Sequence, residues 1–207
     1  FRGTYADLMA SPAFGPAARF FLEELYRDTD YTDRDQQFGR IAGTLQTVFP
    51  QPVVNTAVAL AVLHAQTEEL DQDMGRAWLA HEGADAANDA ARYTAVWRAV
   101  GQRHARQQQL QRVLAMGTDL ARLTRTPGLR MMLRMMRGPA NAAGMGALQK
   151  FLEAGFDTFG QLARQRGGVE QFLATIEQRE RAQMDLLFDA DPVTCGTQLN
   201  HTLGQAR

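Results

Sequence analysis

The chain has 207 residues, with 22 Lys and Arg against 23 Asp and Glu for a formal net charge of −1, and 45% of its residues are hydrophobic. That balance excludes an intrinsically disordered chain and a global field able to hold nucleic acid or an anionic membrane, so such binding needs a local patch. A chain of this length buries enough surface to fold without disulfides, and its one cysteine, Cys195, forms no internal disulfide and favours a reducing, cytoplasmic setting.

No apolar run reaches the ~18 residues of a membrane span, and Phe1-Arg2-Gly3 lacks the charged-then-apolar order of a signal peptide. The missing initiator Met leaves open a leader removed before Phe1.

Apolar residues recur at helical spacing nearly throughout, and isoleucine occurs only at Ile41 and Ile176, so no sheet is expected. A short helix around Thr4 to Ala10 ends before Pro12, and a second starts near Pro16 with Phe21, Leu22 and Leu25 on one side. After the Asp28 to Tyr31 linker, Thr32 and Asp35 form a capping-box-like pair that predicts a third helix from Asp33 to Phe49. Pro50 and Pro52 separate it from a helix over 53–82 carrying Leu60, Leu63, Leu70, Met74 and Trp78. A turn from Gly83 to Asn88 leads into a long helix from Asp89 to Thr124, antiparallel to the one before.

Pro127-Gly128 breaks the chain, Leu129 to Arg137 makes a short helix, and Gly138-Pro139 breaks it again. A helix from Ala142 to Gln165 presents Met145, Leu148, Leu152, Phe159 and Leu162, and Gly167-Gly168 ends it as a glycine cap. The last helix, Val169 to Phe188, buries Phe172, Leu173, Ile176 and Leu187, and its Glu180 falls on the apolar side, where it needs an Arg partner or a raised pKa. Beyond Pro192 apolar anchors are few, which predicts a loosely ordered tail over 191–207 after a single helical domain over 1–190. With no repeat at fixed period, the expected fold is all-α: a compact multi-helix bundle of about seven or eight helices with a long central antiparallel hairpin.

The run Arg19-Phe20-Phe21-Leu22-Glu23-Glu24-Leu25-Tyr26, with Asp30-Tyr31, Arg34-Asp35, Phe38 and Arg40-Ile41, resembles a signature of uncharacterised all-helical bacterial proteins. A later block from Leu133-Arg134 through Arg137-Gly138-Pro139 to Gly144, Leu148 and Phe151-Leu152-Glu153 is similar to the same group. The resemblance implies an all-helical fold, brings no established activity and points to no catalytic residue.

Gly-rich phosphate loops, His-Glu-x-x-His, Cys-x-x-Cys and Gly-x-Ser-x-Gly are all missing, and so are the Glu-x-x-His pairs of di-iron bundles. A non-enzymatic role is therefore favoured, with no cofactor expected. Three constellations deserve weighing against ordinary structural roles. The stripe of Tyr93, Trp97, His104, Gln107 and Gln111 is aromatic at one end and polar in the middle. Such a stripe suits a pocket for an apolar or amphipathic small molecule, although a wet core has the same pattern. His64 and Glu68 lie four apart on one helix, and a hairpin turning near residue 86 sets His104 opposite, a set suited to a metal or, with one His as axial ligand, a haem. Hydrogen-bonded structural histidines are the plainer account.

Arg130, Arg134 and Arg137 share the polar face of a Met-rich helix, which suits a protein partner or peripheral membrane contact, whereas solvated arginines on a helix closing the core are the bland alternative. No interleaved aromatics signal nucleic acid there. Arg19, Asp30, Thr32, Arg34 and Asp35 crowd one linker and read as a structural clamp, with an N-cap and ion pairs holding two helices.

Overall fold

The computed structural model describes residues 3–25, 50–81 and 89–205, and among them the chain is α-helical with no strand. The expected helix from Asp33 to Phe49 and the turn from Gly83 to Asn88 lie outside the described residues. The chain divides into two compact units, the first made of Phe1–Ala6, Leu63–Val113 and Ala174–Arg207, the second of Asp7–Val62 and Leu114–Leu173.

The second unit begins with α1 (Ala6–Ala10) and α2 (Gly15–Leu25). Between them the Ser11 hydroxyl accepts from the amides of Ala13 and Phe14, so Ser11-Pro12 is a start signal for the turn into α2 rather than a mere stop for α1. The first half of α3 (Gln51–Ala80) follows, with Pro52 in the first turn, where its missing N–H costs nothing. Later come the end of α5 (Arg103–Thr124), α6 (Leu129–Met135), α7 (Arg137–Ala142), α8 (Gly146–Ala163) and the start of α9 (Gly168–Asp189). Gly138-Pro139, expected to break the chain, lies inside α7, because a proline in a first turn replaces an amide that has no intrahelical partner.

Phenylalanines hold this unit. Phe20 of α2 packs on Phe151 with centroids 5.5 Å apart, and Phe21 meets Phe159 at 5.9 Å and Phe172 at 5.7 Å. α2 comes close to α8 because Gly155 has no side chain there; a Cβ at that position sits 3.1 Å from Phe20 Cζ.

In the first unit the expected antiparallel hairpin is present. Pairing runs in opposite directions along α3 and the next two helices, from Arg92 on the Trp78 carbonyl, through Gln102 on Asp73, to Gln109 on Thr67 and Arg112 on Gln66. The second arm is not the single helix predicted from Asp89 to Thr124. It is α4 (Asp89–Val100) and α5, separated by Gly101 at φ 68° and Gln102 at φ 61°. Two successive left-handed residues end a right-handed helix and restart it with its faces rotated.

Glu180 finds a tyrosine where an arginine was expected: the buried Tyr5 hydroxyl donates to its Oε1 at 2.6 Å, and the neighbouring Arg179 donates to the Thr4 carbonyl at 2.7 Å.

The loose tail predicted over 191–207 is a second correction. Residues Pro192–Gln205 form α10, which packs on α4 and buries Cys195 completely, with Leu199 one turn on. Asp191 starts it by accepting from the amides of Val193 at 3.1 Å and Thr194 at 3.0 Å, and hydrogen bonding from the Thr194 side chain together with those amides holds its carboxyl below the usual range. Asp-Pro is thus an N-cap followed by a proline at the first helical position, and a buried face as narrow as Cys195 and Leu199 gives little periodic signal.

The glycine at the break is conformationally required. Gly101→Ala is expected to cost about 1–2 kcal/mol because a Cβ is placed in the left-handed region. Gly75→Ala, inside α3 with open space around its Cα, is expected to stabilise by about 0.5–1 kcal/mol. Urea denaturation of both variants checks this pair, and equal effects at the two positions contradict the account of the break.

Candidate functional site

At the inner faces of α4 and α5, within the first unit, aromatic rings and arginines stack in an alternating group. Tyr93 and Trp97, one turn apart on α4, have ring centroids 5.9 Å apart, and Trp97 meets Phe188 of α9 at 5.6 Å. The guanidinium of Arg106 lies 3.6 Å from the centroid of the Trp97 ring, and that of Arg103 4.9 Å from Phe188. Both distances permit strong cation–π attraction. The group rests on a small core of Ala90, Leu187, Cys195 and Leu199. α4 itself is tied to the end of α9, since Arg98 donates through Nε to the Leu187 carbonyl at 2.7 Å and through Nη2 to that of Ala190.

The two arginines differ in how their charges are met. Arg103 is partly exposed and pairs with Asp189 and, at 3.7 Å, Asp185. Arg106 is 8% exposed, and among the described residues its Nε and Nη2 have no hydrogen-bond acceptor; neither does Nε1 of Trp97. Buried donors without acceptors are rare and costly. Burial pulls the Arg106 pKa below its ordinary value against the opposing pull of Tyr93, Asp71 and Asp73, and partial burial raises those of Asp71 and Tyr93. Asp73 is held below the usual carboxylate range by hydrogen bonds from Arg76 and Gln102.

Of the predicted pocket stripe, the structure brings Tyr93 and Trp97 together, whereas His104, Gln107 and Gln111 are exposed on α5. The stripe assumed one continuous helix, and the break at Gly101–Gln102 turns a different face inward, with Arg106, Leu110 and Val113 buried. Arg106 was legible only by extending the apolar spacing of Leu110 and Val113 backwards from the glycine.

The same rotation separates the predicted metal set. His64 Nε2 lies 3.9 Å from Glu68 Oε1, but His104 faces solvent. Among the described residues no group of three or more His, Cys, Asp or Glu side chains is placed to hold a metal ion. Of the predicted clamp, Arg19 donates to the Met9 carbonyl at 3.0 Å, and Asp30, Thr32, Arg34 and Asp35 lie outside the described residues.

The arginine face divides as well. Arg130 binds Asp157 through two parallel bonds, Nε to Oδ1 at 2.7 Å and Nη2 to Oδ2 at 3.0 Å, and Arg137 grips Glu153 in the same manner. Those bonds hold both carboxyls below their ordinary range. Glu153 also accepts from the buried Gln149, which donates to the Leu133 carbonyl as well. Arg134 is exposed on α6, and the side chains of Met131 and Met135 beside it are each 69% exposed.

The described residues form an all-helical fold whose first unit holds a buried cation–aromatic cluster. The chain belongs to the family described as Domain of unknown function (DUF8198), which it matches over residues 1–194. No curated protein and no solved structure matches it. No helix among the described residues is long and apolar enough to cross a membrane.

Two predictions follow from the charges. If the Arg106 charge is retained for a purpose other than folding, Arg106→Met leaves stability within about 1 kcal/mol. Loss of the cation–π contact is then offset by removal of a buried ion that lacks a hydrogen-bonded counterion, and a methionine still covers the ring. A loss of about 3–5 kcal/mol on thermal melting marks Arg106 as a structural partner instead. Glu153 and Asp157, with depressed native pKa values, stabilise the fold above their ordinary pKa near ~4, and that contribution disappears as pH falls through the lower native values. The Glu153→Gln, Asp157→Asn double variant is therefore expected to melt below the wild type at neutral pH, with the difference shrinking at pH ~3. A difference that persists undiminished in acid contradicts the assignment.

Proposed function

We propose that this protein is a non-enzymatic helical binding protein that holds a small amphipathic molecule against the Tyr93–Trp97 face of its first unit. The observation that carries this reading is the set of three buried N–H donors, Trp97 Nε1 and Arg106 Nε and Nη2, which have no acceptor among the described residues and sit beside an aromatic pair. Such an arrangement is costly to the fold unless an external acceptor offsets it. The cytoplasmic placement belongs to the same reading and is supported by the lone, fully buried Cys195.

A second reading, a protein that docks to a partner, is supported by Met131 and Met135 flanking Arg134, an adaptable apolar pair around a cation. Arg130 and Arg137 contribute less to it than the sequence suggested, because Asp157 and Glu153 already occupy them.

Native mass spectrometry of the full chain as purified tests the first reading. The expected spectrum carries added mass that organic solvent releases and that a folded Trp97→Ala variant lacks. A bare polypeptide mass, with no mass gained from a panel of amphipathic compounds, overturns it. For the second reading, Met131→Gln with Met135→Gln is expected to abolish retention of a specific partner by the immobilised protein, and unchanged retention rejects it.

A further inference from the structure

We propose that Arg106 is the anchor of a carboxylate-binding site, receiving through Nε and Nη2 the two oxygens of a monoanionic carboxylate whose apolar body lies along Tyr93 and Trp97. The proposal rests on the binding reading above and names the chemistry of its ligand.

The geometry of the guanidinium carries the argument. Nε–H and Nη2–H lie on one edge of the planar fork and point the same way, matching the spacing of the two oxygens of a carboxylate. This protein uses that edge elsewhere: Arg130 binds Asp157 with it, at 2.7 and 3.0 Å. In Arg106 the same edge has no acceptor among the described residues, although the residue is only 8% exposed and its guanidinium carbon lies 3.6 Å from the Trp97 ring centroid. The stacking fixes the plane of the fork before a ligand arrives, so little side-chain freedom is lost on binding. Trp97 Nε1 is a further buried donor without an acceptor among the described residues.

The neighbours select the charge of the ligand. Asp71 and Asp73 are near enough to act on Arg106 electrostatically, yet neither accepts from its Nε or Nη2. A monoanion balances the Arg106 charge one for one, whereas a dianion such as a phosphate monoester leaves a surplus negative charge facing Asp71 and Asp73, which favours carboxylate. The rest of the ligand meets Tyr93, 37% exposed at the edge of the group, and the partly buried Met74. A ring or thioether surface of this kind suits an apolar chain or a flat ring.

The test uses the full chain with decanoate, decanol and decyl phosphate as probes, read by calorimetry and by the arginine Nε–H resonances in a proton–nitrogen correlation spectrum. Decanoate is expected to bind one to one and shift the Arg106 Nε–H resonance. Decanol and decyl phosphate are each expected to bind at least tenfold more weakly. Arg106→Lys, which keeps the charge but loses the fork, weakens decanoate at least tenfold and leaves decanol unchanged, whereas Asp71→Asn tightens decanoate. Should Arg106→Lys fail to fold, the wild-type contrast between probes and the resonance shift decide alone. Equal binding of decanoate and decanol, with both lost in Trp97→Ala, overturns the carboxylate site while the binding reading stands. Tighter binding of decyl phosphate overturns the choice of carboxylate. No binding of any probe, together with a bare native mass, overturns both.

Discussion

The left-handed turn at Gly101–Gln102 decides which face α5 presents to the interior, and the candidate site depends on that face. A glycine adopts this backbone freely, but Gln102 does so at a cost, because its Cβ crowds the carbonyl. Its side chain is held by Asp73 on the opposite arm of the hairpin, and Asp73 is in turn held by Arg76. Restarting the helix with its faces rotated puts Arg106 over Trp97 and sends His104, Gln107 and Gln111 to the surface. A local backbone conformation thereby separates the residues of one functional hypothesis and assembles another.

The arginines of this protein are held in two different ways. Arg130 and Arg137 lie at the surface, each in a two-pronged grip on a carboxylate, and such exposed pairs contribute modestly because water competes for both charges. Arg106 is buried over an indole, and its Nε and Nη2 have no acceptor among the described residues. Where neighbouring choices in a sequence otherwise agree on one packed structure, a buried cation without a hydrogen-bonded acceptor is a local conflict, and local conflicts concentrate at functional sites. The phenylalanine cluster of the second unit shows no such conflict; Phe159 and Phe172 are completely buried among other rings. That contrast places the candidate site in the first unit.

Helical periodicity is a property of short stretches of chain, so the all-α class, the antiparallel hairpin and the inward positions Leu60, Leu70, Leu148, Phe172 and Ile176 were readable from the sequence by itself. Capping chemistry is equally local, yet Asp191-Pro192 suits an end as well as the beginning it makes here, because a proline after a polar residue serves either purpose until the next face is known to be buried. What only the tertiary structure decided was rotation. A single glycine inside a periodic pattern is compatible with a continuous helix or with a break, and the two differ in every inward residue that follows. The Asp73–Gln102 tie across the hairpin accompanies the break, so the pairing of Trp97 with Arg106 rather than His104 was settled by contacts between residues far apart in the chain.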